Sequence, residues 1–292
     1  MNAQSLLRAP RVAADVVSRL VHHKGFHLAA SASYRSLFAF FPFLVCVLST
    51  MAAFGQAEEL SDGMDAVKES GALSGEMVDA FRSQLDRLAD GIAGSHLLQA
   101  ALMLLLALWS GSAGIRAVML GLNSALELEE HRSVSRRVLT SIVLGLVTGV
   151  TIVAATVMVA GGPAIADLLA ELPGTKGLIH DAWTVARWPL AGLILFAWLA
   201  LLASVAPATR QTFRIFTRGN CVAFLVWLGF TLAFSWYVDN LGSQGKVYGV
   251  FTGAIVLMLH AYWSSLIIFI GAEVDGLARE AAQERHEVTG GA

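Results

Sequence analysis

The sequence predicts an all-α membrane protein with six transmembrane helices, and three observations predict it. First, 56% of the 292 residues are hydrophobic and 14% are charged, whereas a soluble domain is about a quarter charged. Second, six apolar runs are long enough to cross a bilayer, which takes about 20 residues. Third, lysine and arginine concentrate in alternate connections between these runs.

The predicted spans divide the chain into three parts. Residues 1–27 are mostly polar and lack the order of a signal peptide, so we expect a retained N-terminal segment. A transmembrane domain over 28–275 and a polar tail over 276–292 follow. The spans are Leu28 to Phe54, Leu97 to Leu122, Val138 to Gly161, Trp183 to Ala206, Cys221 to Asn240 and Gly249 to Ala272.

Orientation follows from the basic residues. Twelve lysines and arginines lie in the N-terminal segment, the connections 123–137 and 207–218 and the tail, against five in the other connections. Because basic connections stay in the cytoplasm, both termini are predicted to be cytoplasmic.

The longest outer connection, 55–96, carries nine acidic residues against three basic ones. Its apolar residues from Met77 to Ile92 recur at helical spacing, which predicts an acidic amphipathic helix. This helix either caps the bundle or lies at the interface, or it forms a lid over an outward opening; both alternatives stay open.

Several kinds of chemistry find no support in the sequence. The net charge is −2, so no basic surplus indicates nucleic acid as a partner. Both cysteines lie in apolar runs, and His22, His23 and His27 lack the spacing of a metal site. No phosphate-binding glycine loop, nucleophile elbow or HExxH pair is present. We therefore predict no enzyme activity, no cofactor and no metal, and we expect the three histidines to be solvated.

Small residues predict helix contacts inside the bilayer, because apolar side chains gain little by leaving lipid. Gly145 and Gly149, Gly249 and Gly253, and the run from Ser110 to Gly114 are the candidates.

Charged residues inside the spans are the candidate functional residues. Arg35 lies seven residues into the first span, about 10 Å deep at 1.5 Å per residue. Arg116 and Glu273 lie toward the same face, so the three predict a charge layer in the cytoplasmic leaflet, either a substrate-binding layer or a register-fixing pair. Because a mid-helix arginine costs about 2.5 to 3.5 kcal/mol, we expect Arg35 to face the bundle interior with Glu273 as its partner. The alternative is an arginine that extends to the headgroups.

Two further features accompany this layer. Arg187 and Asp239 lie at one depth near the outer face, where Asp239 either forms a second pair with Arg187 or hydrogen-bonds within the turn over 238–249. Pro42 removes a helical hydrogen bond near mid-membrane and kinks the first span. Together with Arg35, the kink predicts a polar pocket that opens toward the cytoplasm.

Four stretches of the chain resemble the YihY/BrkB family of bacterial inner-membrane proteins. They are AASASYRSLFAFFP (29–42), the long stretch over 108–139, FSWYVDNLGSQGKVYG (234–249) and AYWSSLIIFIGAEV (261–274). The resemblance implies six spans with cytoplasmic termini, a multi-pass protein of the inner (plasma) membrane and a role in the cell envelope. Some members formerly carried a ribonuclease BN label, which nothing in these residues supports.

The resemblance extends to individual residues. Tyr34 and Pro42 match the family's tyrosine and proline of the first span, and Asn123 matches the asparagine that closes the second. The family's Tyr-Gly pair falls on Tyr248 and Gly249, and its Gly-Ala-Glu begins at Gly271. Arg35 and His260 depart from the family, which usually has an uncharged residue and often a tryptophan there.

Two functions follow as hypotheses. The first is a transporter or translocase of an amphipathic, lipid-like or anionic substrate, with Arg35 and Arg116 as the cationic layer and Glu273 as counter-ion. The second is a non-transporting envelope scaffold that binds a protein partner through 55–96. Membrane lipids are the expected partners in either case, nucleic acid is not, and a homo-oligomer stays open.

Overall fold

The computed structural model describes residues 9–38, 83, 97–160, 178–208, 216–241 and 250–290. In these ranges every regular element is an α-helix, as the fold class predicts. The helices are α1 (Ala9–His22), α2 (25–38 as described), α3 (Leu97–Ala125), α4 (Val134–Ala160), α5 (Leu178–Val205), α6 (Arg218–Leu241) and α7 (Val250–Gly290).

The N-terminal segment begins with an amphipathic helix. Val16 and Leu20, one turn apart on α1, are buried, while Val17 and Val21 on the neighbouring face are exposed. Lys24, with a φ of 57°, adopts the left-handed conformation between α1 and α2. This turn redirects the chain, and α1 packs against α7.

Four helical segments are long and apolar enough to cross a membrane: Val134–Ala155, Val185–Val205, Arg218–Val238 and Gly253–Gln283. They correspond to the last four predicted spans. The second predicted span coincides with α3, which has 29 residues, and the first begins within α2. The rest of the first span and the predicted outer helix lie outside the described residues, so the total of six spans stays a prediction.

Small residues bring some helices close together, as the sequence predicts. Gly114 of α3 lies against α2, since a Cβ on it would come within 2.8 Å of Ser36 Oγ. Gly145 of α4 faces Ile115, 3.8 Å from the corresponding position. Among the described residues, nothing lies within 4 Å of a Cβ placed on Gly253. Because Gly249 lies outside these residues, the helix contact of this pair stays a prediction. The other principal contacts are α3 with α4 and α7, α5 with α4 and α6, and α6 with α7.

The core of the described helices lies toward one end of the bundle. It is built mainly from α1, α2, the second half of α3 and the middle of α7, with Met119, Leu122 and Phe269 among its most buried side chains. Elsewhere along the spans large apolar side chains are exposed, as in Val150, Leu193 and Leu232. Such a surface suits a helix whose solvent is lipid.

Polar contacts gather the four segments that the sequence assigns to one face. Arg132 donates to the carbonyls of Val205, Ala206 and Pro207 at the end of α5. The backbone N–H of Gly219 donates to Asp275 Oδ1 at 2.7 Å, which joins the start of α6 to α7. We call this end of the helix bundle the polar end. The side of the membrane that it faces stays a prediction.

Candidate functional site

A fully buried carboxylate, Glu273 of α7, lies at the centre of the polar end. Arg19 of α1 donates through Nε to its Oε2 at 2.9 Å. The other nitrogens of Arg19 reach Glu280 at 2.8 Å and Glu127 at 3.3 Å. A single guanidinium thus links α1 to both α7 and the end of α3.

His23 completes this group, which we call the end cluster (Arg19, His23, Glu127, Glu273 and Glu280). Its Nδ1 lies 2.7 Å from Glu273 Oε1 and its Nε2 lies 3.4 Å from Glu127 Oε1. The His23 side chain is only 11% exposed. The prediction of a solvated histidine is therefore wrong for His23, because it lies one turn after Arg19 on the face of α1 that packs against α7.

The carboxylates around Arg19 stabilise its protonated form. Burial by itself lowers the pKa of the guanidinium, but the hydrogen bonds and negative charges of Glu280 and Glu273 outweigh it and raise the pKa of Arg19. Arg19 is consequently a permanent cation in the end cluster.

Arg35 does not take part in the end cluster. The Glu273 carboxylate is bound by Arg19 and His23 instead, and the Arg35 side chain is exposed rather than directed into the bundle. Arg35 lies ten residues beyond Gly25, the first residue of α2, which is about 15 Å along that helix. In the sequence, the depth of Arg35 in the membrane is estimated from the edge of its apolar run. That estimate predicts Arg35 and Glu273 to be neighbours, whereas the packed helices hold them apart.

Arg116 and Arg35 nevertheless lie near each other. Their helices meet where Gly114 approaches Ser36, and the positive charge of Arg35 acts on the Arg116 guanidinium. Arg116 donates a short hydrogen bond to Ser112 Oγ, and its Nη1 lies 3.4 Å from Ser141 Oγ of α4. In the described part of the chain, neither arginine forms an ion pair with a carboxylate.

The surface beside this arginine pair is open. The guanidinium of Arg116 lies 5.3 Å from the centre of the Trp109 ring, a cation–π distance. Trp109 itself is 60% exposed. The pair is therefore reached from the outside of the helix bundle.

Of the predicted outer pair, the structure describes the side chain of Arg187 alone. Arg187 lies 5.6 Å from the centre of the Trp188 ring, and its Nε has no hydrogen-bond partner there. The side chain of Asp239 is outside the described part, so the pairing stays a prediction.

Two of the motif residues join segments at the polar end. Asn123 is buried; its Nδ2 donates to Glu130 at 3.0 Å, and its Oδ1 accepts from the N–H of Ala208 at 2.7 Å. Gly271 permits close contact between α7 and α6, since a Cβ there would lie 2.8 Å from that of Ala223.

The remaining motif residues are less informative. Tyr34 is 56% exposed, and its ring lies 4.8 Å from that of Phe38. Pro42, Tyr248 and Gly249 lie outside the described residues, and with Pro42 so does the predicted kink.

Sequence reasoning did not identify Arg19, His23, Glu127 and Glu280 as site residues, because they lie outside the apolar runs. A signal for two of them was present: Arg19 and His23 are four residues apart, which places them on one face of a helix. Their partners come from positions more than 100 residues away, and no local pattern identifies those.

A family model described as virulence factor BrkB matches residues 16–290 of the chain. The ribonuclease-like protein YfkH of Bacillus subtilis is 28% identical over 265 residues, which cover 90% of this chain and 93% of YfkH. UPF0761 membrane proteins of Yersinia pestis and Yersinia pseudotuberculosis are 34% identical over 95 residues, 32% of each chain. No solved structure matches the chain.

Proposed function

Because this chain belongs to the virulence factor BrkB family and is an integral membrane protein, we propose that it transports an amphipathic, anionic substrate across the membrane. The substrate is lipid-like, the membrane is the bacterial inner membrane, and the role belongs to the cell envelope. The observation that carries the proposal is the arginine pair, Arg35 and Arg116.

Among the described residues, no carboxylate offsets the two positive charges of the pair. Like charges at close range destabilise each other, and a guanidinium within a membrane span is costly unless a partner offsets its charge. The expected counter-ion, Glu273, is bound by Arg19 and His23. A negative group from outside the protein would complete the pair, and this supports an anionic substrate.

The position of the pair supports a lipid-like substrate. Arg35 and Trp109 are both exposed at the outside of the bundle, where the surroundings of a span are acyl chains. An amphipathic anion reaches this surface along the membrane plane, with its charged group beside the arginines and its apolar part in lipid.

We propose that this protein is not an enzyme. In the end cluster, three carboxylates bind Arg19 and His23, so these side chains hold α1 in place. The ribonuclease-like name belongs to YfkH, and we assign no hydrolytic step to this chain.

Transport can be tested with the purified protein in liposomes. We expect the protein to accelerate the movement of fluorescent phosphatidylglycerol between leaflets, measured as the fraction that dithionite quenches over time, relative to protein-free liposomes. Arg35→Gln and Arg116→Gln should each slow this movement about tenfold, the equivalent of one lost interaction of about 1.4 kcal/mol.

The matched control is Arg136→Gln, which removes an exposed arginine at the start of α4 and should leave the rate unchanged. Arg35→Gln should not melt earlier than the original protein in detergent, because it relieves repulsion and removes an exposed side chain. If the protein moves neither labelled lipids nor small anions, the transport proposal fails and the scaffold hypothesis takes its place.

A further inference from the structure

A third arginine lies beside the pair. Arg137 and Ser141 are four residues apart on α4 and therefore share one face of that helix. Ser141 Oγ is 3.4 Å from Arg116 Nη1, and the charge of Arg137 acts on Arg116 as that of Arg35 does. We call Arg35, Arg116 and Arg137 the arginine cluster; its members come from α2, α3 and α4.

Arg137 has an unused donor. Its Nε is buried, yet it has no hydrogen-bond partner among the described residues. A buried donor without an acceptor is destabilising, and an ion or ligand at that place is one explanation for such a group in a native protein. An acceptor from a bound molecule would remove this cost.

The surroundings of Arg137 add positive rather than negative potential. It lies in the first turn of α4, which contains no acidic residue, and the N-terminus of a helix carries the positive end of its dipole. A cation is disfavoured there, whereas an anion is stabilised by both the dipole and the three guanidinium groups.

The available donors indicate the class of anion. The hydroxyls of Ser112 and Ser141 donate to the backbone carbonyls of Trp109 and Val138, so guanidinium N–H groups supply the binding. Three guanidinium groups suit an anion with three or four acceptor oxygens, since arginine binds phosphate through paired hydrogen bonds. A carboxylate has only two oxygens to share among them.

We propose that the arginine cluster is a binding site for a phosphate group, supplied by the headgroup of an anionic phospholipid in the leaflet at the polar end. This inference rests on the proposed function and names the chemistry of its substrate. The lipid as source follows from the exposure of Arg35 and Trp109 at the outside of the bundle.

Binding is measured on the full-length protein in neutral detergent, as the rise of Tm with added ligand. The probes are dioctanoyl phosphatidylglycerol, dioctanoyl phosphatidylcholine and inorganic phosphate. We expect phosphatidylglycerol to raise Tm in a saturable manner, and the other two to have at least tenfold weaker effects. An equal effect of inorganic phosphate at the same concentration would overturn the lipid source.

Arg137→Gln should weaken phosphatidylglycerol binding about tenfold, and Arg35→Gln should do the same. The second variant guards against misfolding, because the Arg35 side chain is exposed. Arg136→Gln, adjacent in sequence and also exposed, should bind as the original protein does. An equal loss in Arg136→Gln and Arg137→Gln would show unspecific attraction to a basic surface and overturn the site.

The two proposals fail separately. If Arg137→Gln and Arg35→Gln bind phosphatidylglycerol normally while Arg116→Gln no longer moves lipid in liposomes, the phosphate site is wrong and transport stands. If phosphatidylglycerol binding depends on Arg137 but the original protein moves no lipid, the site stands and the transport function is wrong.

Discussion

Glu273 is the residue on which the polar end depends most. It is fully buried, and Arg19 and His23 both contact its carboxylate. Burying a carboxylate is costly unless its oxygens are paired. The contacts of Arg19 and His23 offset this cost, and in doing so they fix α1 against α7.

Replacing Glu273 by leucine should lower the free energy of unfolding by about 3 to 5 kcal/mol, because His23 and part of Arg19 are left without their buried acceptor. Thermal unfolding in detergent measures this loss. Glu129→Gln is the control, since that side chain is 88% exposed. Arg35→Leu, which does not touch Glu273, should not reproduce the loss. A loss of the same size in Arg35→Leu that recovers in the double variant would contradict the observed pairing.

At the scale of elements, glycine determines how closely α6 and α7 approach. Gly219 lies against the backbone carbonyl of Gly271, and a Cβ on Gly219 would collide with that oxygen and with the Asp275 carboxylate. The same contact allows the Gly219 N–H to donate to Asp275. Both the close approach of α6 to α7 and the hydrogen bond between them therefore depend on Gly219.

Gly219→Ala should destabilise the protein by about 1 to 3 kcal/mol, because the added methyl group meets backbone rather than a flexible side chain. Gly229→Ala on the same helix is the matched control. In the part of the chain that the structure describes, nothing lies within 4 Å of a Cβ at Gly229, and alanine favours a helix over glycine by about 1 kcal/mol. Tm values in detergent compare the two; equal values would show that α6 and α7 do not pack as described.

At the scale of the molecule, the polar end gathers α1, the connection after α3, the end of α5, the start of α6 and the second half of α7. Ion pairs, the contacts of Arg132 with α5 and the Asn123 contacts join them. Because these segments meet, they share one side of the membrane. From the excess of lysine and arginine we predict that this side is the cytoplasmic one.

Cysteine labelling tests this arrangement in a background with Cys46 and Cys221 replaced by serine. Ser135→Cys and Phe216→Cys, both at exposed positions of the polar end, should react with an impermeant thiol reagent only after lysis. Asp79→Cys in the outer connection should react in intact spheroplasts. The reverse pattern would invert the orientation, and different behaviour of Ser135→Cys and Phe216→Cys would contradict the shared end.

The sequence by itself determined that the helices lie in lipid, that the regular elements are α-helices, and where most of the spans lie. Apolar runs of about 20 residues can satisfy their backbone groups in lipid only as helices. The runs over 138–161, 183–206, 221–240 and 249–272 accordingly match helices of the structure. The arginine-rich connections likewise come together at one end. These properties depend on local composition, which can be read directly from the chain.

Only the tertiary structure decided which charges meet. Glu273 pairs with residues some 250 positions away, and the turn at Lys24 that makes this possible has no strong sequence signal. Depth alone placed Arg35 with Glu273, but depth does not give the direction of a side chain around its helix. The same reason explains why Arg137 was not associated with Arg116: their helices must first pack, and packing depends on contacts that are distant in sequence.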